Sequence, residues 1–383
     1  MKKHHVLYSI LVFCLLFAGQ IPPAPATTVL TEESEGMQFR VEEVARDLGI
    51  AWGMAFLSPS EIIFTQRDGQ IGILDPETGN VGFLQGEIPR VRRGGQGGML
   101  DVAVPKGYRA GDWIYFTYSR EQNGRGVTTL ARARRDNDRL RDWQDLVITQ
   151  SATDRNIHYG SRIAFDNKGH VFFTVGDRGF RPGAQDLSTH AGSILRVLPD
   201  GSAPKDNPFV GVEAALPEIY SFGHRNPQGI VFDAATNRLW CIEHGPRGGD
   251  EINRVRAGGN YGWPVISYGR EYWGPIRVGE GTEKEGMEQP VKYYTPSIAP
   301  GSLLLYTGQA FPRWQGNLMS GALKLEHLNR VVLDASGMPV REERLLGDLK
   351  GRIRALAQSP EGWIYLSIDS GLIFRLRPQG PSE

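Results

Sequence analysis

Cysteine is nearly missing from the 383-residue chain. There are two, and Cys14 lies in the N-terminal stretch, leaving Cys241 alone in the remainder. A single thiol cannot form an internal disulfide, so stability must come from a packed core or a bound metal. Net charge is missing as well, because 43 Lys and Arg balance 43 Asp and Glu. The basic excess of a nucleic-acid-binding surface is therefore absent. There is no zinc-type Cys/His spacing, no serine-nucleophile motif and no glycine-rich dinucleotide loop opening a helix. These absences speak against zinc hydrolysis, serine hydrolysis and NAD or flavin chemistry. No Cys-x-x-Cys-His is present to attach a haem.

The N-terminus, "MKKHHVLYSILVFCLLFAGQIPPAPA", holds two lysines, an apolar stretch from Val6 to Ala18 and small residues ending at Ala26. That order is the pattern of a secretory signal, residues 1–26, cut after Ala26. The apolar stretch is short for a membrane span, so no stable membrane span is expected after cleavage. The expected location is periplasmic or secreted. Residues 27–37 then read as an N-terminal extension and 38–379 as the catalytic domain.

What the chain has in abundance is turns. Its 48 glycines and 24 prolines favour short strands over long helices. A pattern of short apolar run, Gly/Pro/Asp-containing turn and second β-rich run recurs six times. It begins at Trp52 ("WGMAFLSPSEIIFTQRDGQIGIL"), Gly97, Tyr159 and Asn226, is weaker around "PSIAPGSLLLYTG", and returns at Gly351. Six sheet-like units without amphipathic helices between them predict an all-β fold, a six-bladed β-propeller with four-stranded antiparallel blades around a central channel. Two stacked β-domains would need a linker, and the chain shows none.

In a propeller the first strands line the channel and run the same way, so their starts form one ring at one mouth. The second strands return to that mouth. In "NIHYGSRIAFDNKGHVFFTVGDRG", the runs Ser161–Phe165 and Val171–Val175 flank a tight turn expected between Asn167 and Lys168. That register sets His158 opposite Asp177, within side-chain reach. The same reasoning returns Arg225 and Asn226 to Gly245 and Pro246, and Arg352 to Asp369. Gln96 precedes the corresponding run of the second unit, and alternation sets Arg352 and Arg354 on one strand face. One mouth thus collects Gln96, His158, Asp177, Arg225, Asn226, Arg352 and Arg354, a constellation suited to a polyanionic small molecule.

Taken in order, "RGGQGGMLDVAV", "HYGSRIAFD", "GDRG", "AQDLSTHAGSILRV", "FGHRNPQGIVFD", "EHGPRGGDEIN", "GNYGWPVISYG" and "GRIRAL" closely resemble the soluble aldose sugar dehydrogenases that use pyrroloquinoline quinone (PQQ). These belong to the glucose/sorbosone dehydrogenase family. The resemblance spans nearly the whole chain after residue 26. It implies oxidation of aldoses at the anomeric carbon to lactones, with electrons passed to an external acceptor. It assigns His158 as the general base, a task suited to an imidazole near neutral pH, and Asp177 as its orienting partner. It assigns Gln96, Arg225, Asn226, Lys324, Arg352, Arg354 and Tyr272 to the cofactor, and the aromatic pair Tyr272 and Trp273 of "YGREYWG" is expected to line the sugar side. It further implies Ca²⁺ at the carbonyls of Gly245 and Pro246, and a second Ca²⁺ at Glu251 and the carbonyl of Tyr261. His190, His224 and His244 read as structural. The oligomeric state, monomer or homodimer, is left open. Two other readings stay open: a Ca²⁺-dependent propeller lactonase, and a binding propeller in which His158 and Asp177 are merely a polar pair.

Overall fold

The computed structural model describes residues 27–379; the expected signal, 1–26, lies outside the described residues. Six antiparallel sheets are arranged in a ring, and each inner strand touches the inner strands of its two neighbours. The inner strands of blades 1 to 6 are Ala51–Ser58, Met99–Ala103, Ile163–Phe165, Pro227–Asp233, Leu304–Leu305 and Ile353–Gln358. Four sheets have four strands and two carry a fifth. In blade 2 the addition is Gln85–Gly86, which pairs in parallel with the outer strand Arg139–Ile148. In blade 6 the N-terminal strand Met37–Ala45 pairs with the C-terminal strand Leu372–Pro378, and Thr27–Ser34 adds the outermost strand. The two ends of the chain therefore share one sheet, which closes the ring. Among the described residues the only helical segments are three short 3₁₀ turns, and no helix is long and apolar enough to cross a membrane.

Both faces of each blade pack against neighbours, so second strands such as "VFFTV" and "IYLSI" are buried throughout rather than alternating. Tyr115, Val171, Phe173 and Leu195 fill the gap between blades 2 and 3. Phe39, Phe311, Trp314 and Leu366 fill that between blades 5 and 6.

One expectation needs correction. The blade 3 hairpin does not turn between Asn167 and Lys168. The Asp166 N–H donates to the His170 carbonyl at 3.3 Å, so Lys168 sits at the apex and Phe165 faces Val171. Continued along the strands, that register would miss the His158–Asp177 pairing by one residue. A β-bulge restores it: Ser161 and Arg162 both oppose Thr174, with Ser161 at φ 86°. Two local irregularities of opposite sense cancel.

Bulges recur at the same level in other blades, skipping Trp52 between Ala51 and Gly53, Gln228 between Pro227 and Gly229, and Arg354 between Ile353 and Ala355. Trp52, Gln228 and Arg354 all line the cavity at the channel mouth. A bulge re-aims a side chain that regular alternation would place elsewhere, and here three are aimed at one cavity.

Hydroxyl groups on the second strands stitch the bulged level of one blade to the next. Thr117 Oγ1 donates to the Ser161 carbonyl at 2.6 Å, Thr174 Oγ1 to Pro227 at 2.9 Å, Ser367 Oγ to Ala51 at 2.7 Å, and Thr65 Oγ1 to Leu100. Each also accepts a backbone N–H of its own blade, from Asp101, Arg162, Ala355 and Gly53 respectively. Buried backbone groups near the bulges are thereby satisfied.

Arg162 crosses the channel from blade 3 and touches every other blade. Its guanidinium lies 3.9 Å over the Trp52 ring and pairs with Asp101 at 2.9 Å. It also donates to the carbonyls of Gln228 (3.0 Å), Arg354 (2.9 Å) and Gly301. This buried side chain forms a floor beneath the mouth cavity.

Candidate active site

His158 stands where the chain enters the blade 3 inner strand, with a left-handed backbone at φ 54°. A non-glycine residue held there stores strain, a feature concentrated at functional sites. Gly176 lies beneath it, and a Cβ at that position would fall 2.2 Å from the His158 carbonyl. The His158 N–H donates to Gln96 Oε1 at 2.7 Å, and Nδ1 meets Asp177 Oδ1 at 2.6 Å. Since the carboxylate accepts, Nδ1 carries the proton and Nε2 is left as the free base. Asp177 is buried and fully engaged: Oδ1 also accepts the Gly179 N–H at 2.7 Å, and Oδ2 accepts Trp263 Nε1–H at 2.8 Å.

Burial pushes the His158 pKa below its ordinary value, against the pull of Asp177, and the Arg225 charge adds to the drop. Burial alone would raise the Asp177 pKa, but the His158 hydrogen bond and charge, with Arg225 and the Gly179 N–H, hold it lower. The pair is therefore neutral imidazole with carboxylate at neutral pH, the state a general base requires.

Beside it lies a cavity of about 140 Å³ lined by Arg67, Gln96, Asn226, His244, Arg352, Arg354 and Asp369, among others. Asp369 is held from two sides. Arg354 donates to both of its oxygens at 2.9 and 2.8 Å, and Arg352 Nε to one at 2.9 Å. Arg67 has no ion pair or side-chain hydrogen bond among the described residues. Burial and the adjacent Arg354 and Arg352 press its pKa below the ordinary guanidinium value. Arg225 Nη1 donates to the carbonyls of Gly245 (2.8 Å) and His244 (3.2 Å), and Nη2 reaches the Tyr272 hydroxyl at 3.4 Å. Among the described residues its Nε is buried with no partner. The mouth thus holds more guanidinium than carboxylate, the donor set for a planar polyanion.

The structure brings Gln96, His158, Asp177, Arg225, Asn226, Arg352 and Arg354 to one mouth. Lys324 is exposed next to Leu323 of the cavity wall, with no ion pair among the described residues. Tyr272 and Trp273 are 66% and 74% exposed on a rim loop tied to the wall by the two-pronged Arg181–Glu271 pair. Glu251 and Tyr261 lie in an adjoining pocket with Gly245, Glu243 and His244. Burial and the neighbouring Glu243 push the Glu251 carboxyl well above the usual carboxylate range. Gly245 is held by Asp250, whose Oδ1 accepts its N–H at 2.9 Å. Pro246 packs on Gly269. Among the described residues no three or more His, Cys, Asp or Glu side chains gather around a common point as a metal centre.

His244 differs from its sequence reading, because it lines the cavity. Burial and its cationic neighbours push its pKa down to about 3, and its neutral ring donates from Nε2 to the Pro300 carbonyl at 2.6 Å. His224 is structural: it sits fully buried between Ser221 Oγ at 2.9 Å and Glu243 at 2.8 Å. That Ser–His–Glu line has the connectivity of a hydrolase triad but no access to a substrate. Sequence reasoning missed Arg67, Trp52 and Trp263. Arg67 had a signal, since "TQRDG" ends a second strand at the level of Asp369.

Fold and mouth together define a propeller with an oriented base beside an anion-receptive wall. The chain belongs to the Glucose / Sorbosone dehydrogenase family, whose sequence profile matches residues 48–375. It is accordingly an enzyme, a dehydrogenase acting on sugars. It is 35% identical over 347 residues to aldose sugar dehydrogenase YliI of Escherichia coli K12, covering 88% of this chain and 93% of that one. It is 26% identical over 397 residues to quinoprotein glucose dehydrogenase B of Acinetobacter calcoaceticus, covering 82% and 80%. The PQQ-bound aldose sugar dehydrogenase of Streptomyces coelicolor superposes with a TM-score of 0.73 at 25% identity, over 88% of this chain and 96% of that one.

Proposed function

We propose that the protein is a PQQ- and Ca²⁺-dependent aldose dehydrogenase that oxidises the anomeric carbon to a lactone. The observation that carries this reading is the oriented His158 base beside guanidinium groups left with unspent donors. The Arg225 Nε and Arg67, both without a partner among the described residues, fit a ligand with several carboxylates. Arg225, Asn226, Lys324, Arg352 and Arg354 would hold PQQ, with Gln96 on its edge and Arg67 as a further cation. When bound, PQQ supplies an ortho-quinone that accepts the hydride. His158 Nε2 takes the proton of the anomeric hydroxyl, and Asp177 balances the imidazolium that results. Gln96 and Asp177 keep the ring aimed. An external acceptor takes the electrons, as no haem-attachment motif is present.

The carbonyls of Gly245 and Pro246 would hold the first Ca²⁺, with backbone oxygens suited to a hard cation; Arg225, which donates to the Gly245 carbonyl, would then turn its guanidinium to the cofactor. Glu251, raised in pKa beside Glu243, and the Tyr261 carbonyl would hold the second. Residues 1–26, as an export signal, would place the enzyme in the periplasm or outside the cell. The buried His224 line offers no support to a lactonase.

Purified protein mixed with PQQ, Ca²⁺, an aldose and a dye acceptor is expected to bleach the dye only when all are present. Bleaching without PQQ, or none with every component, would overturn the reading. Arg354→Ala is expected to weaken PQQ binding by about 1.5–3 kcal/mol, the range for hydrogen bonds to charged groups. It also leaves Asp369 held by Arg352 alone, with more of its charge uncompensated beside the cavity. Titration of the apoprotein reads the change, and unaltered affinity would remove Arg354 from the site. Chelation is expected to abolish turnover while the circular dichroism of the propeller persists, with metal loss verified by elemental analysis. Full activity after metal loss would exclude the Ca²⁺ dependence.

A further inference from the structure

We infer that Arg178, which faces away from the cavity, is a positioning residue that straps the His158 loop into its strained backbone; this rests on His158 being the base. Arg178 is 0% exposed and has no carboxylate within ion-pair distance among the described residues. Its guanidinium instead binds backbone carbonyls of the segment leading into His158. Nη1 donates to Ile157, and Nη2 to Arg155 at 3.2 Å and to Gly126 of blade 2 at 2.9 Å. The group lies 3.5 Å over the ring of Tyr159, so one side chain grips the residues on both sides of His158. The Tyr159 carbonyl is fixed in turn by Thr128 Oγ1 at 2.7 Å.

Burying a guanidinium without a counter-ion is costly, and burial lowers the pKa of this one. An apolar side chain of similar size would fill the space at less expense in desolvation. What it could not do is fix carbonyls of the 155–157 segment and of blade 2 at once. The site needs that, because His158 and Arg178 both occupy left-handed backbone, at φ 54° and 55°. Without the strap the loop has cheaper conformations, and the ring swings out of line. Asp177, the neighbour of Arg178, orients the imidazole from its side chain. Arg178 orients the same residue from its backbone.

The test compares Arg178→Lys and Arg178→Met with wild type and His158→Gln. Lysine keeps the charge but cannot span three carbonyls or stack flat on the tyrosine. Both variants are expected to lose about 10- to 100-fold in kcat, the scale of a misplaced catalytic group. PQQ affinity, read by titration, and KM for the sugar should stay near wild type. A purely structural residue would lower the melting temperature and leave kcat per bound PQQ unchanged, and that result overturns the inference. If neither variant folds, NMR of the wild type decides. The Arg178 guanidinium protons, held on three carbonyls, should exchange slowly and give separate signals, and rapid exchange or averaging would overturn the strap. Retained turnover in His158→Gln defeats the base assignment itself. Lost turnover there with normal kcat in Arg178→Lys defeats only the strap.

Discussion

Replacing His158 with glutamine is expected to lower turnover per bound PQQ by at least ~10²-fold, within the roughly 10²–10⁴ that general-base groups contribute. Glutamine keeps a polar side chain of similar reach but cannot take and hold the proton. Cofactor affinity should change far less, because the guanidinium groups that would hold PQQ stand on other blades. Asp177→Asn should also lower turnover, for a reason visible in its contacts. Both carboxylate oxygens accept: one from His158 Nδ1–H and Gly179 N–H, the other from Trp263 Nε1–H. An amide has one oxygen, so its NH₂ must face either the indole N–H or the imidazole N–H. Facing the imidazole, it favours the wrong tautomer. The double variant should be little worse than His158→Gln alone, since an orienting group has nothing to act on once the base has gone. A merely structural pair would show the reverse: a lower melting temperature and near-normal turnover in the protein that remains folded.

Arg162→Leu should be the most destabilising single change. It leaves Asp101 as an uncompensated charge in the channel, together with three backbone carbonyls deprived of their donors. Breaking a buried ion pair from one side costs about 3–5 kcal/mol, a large fraction of the stability of a typical domain. Because Arg162 contacts all five other blades, the loss should be global and not confined to blade 3. Denaturant unfolding measures it. The pair variant Asp101→Leu/Arg162→Leu should regain much of the loss, since removing both charges removes the unpaired one. A loss below about 1 kcal/mol in Arg162→Leu, the level of an exposed ion pair, would show that the channel around Asp101 is open to water.

Much of the propeller is legible in the sequence. The six strand–turn–strand units could be counted because each is local, its two runs separated by only a few turn residues. The fifth unit was weakest in sequence, and its inner strand is the shortest, Leu304–Leu305. The pairing of His158 with Asp177 was also legible, although by a register that was wrong at the turn and right at the mouth. The Asp166–His170 turn and the Ser161 bulge are set by neighbouring residues, yet no pattern in "SRIAFDNKGH" distinguishes a longer turn plus a bulge from a tight turn without one.

By itself, then, the sequence determined the elements that arise from short-range alternation: the strands, their hairpins and the polar residues returned to one mouth. It also carried the family resemblance on which the role of each residue was first assigned. The tertiary structure alone decided which side chains converge. Trp52 and Gln228 reach the cavity only because a bulge in each inner strand lifts them out of alternation, and Arg354, expected there by alternation with Arg352, arrives by a bulge instead. His244 joins the cavity wall, its ring held by the Pro300 carbonyl far along the chain. Arg162 and Arg178 bind carbonyls on segments distant in sequence or on another blade. Such contacts depend on the angle at which blades meet around the channel. That angle is set by packing across whole sheet faces, and no local stretch of sequence encodes it.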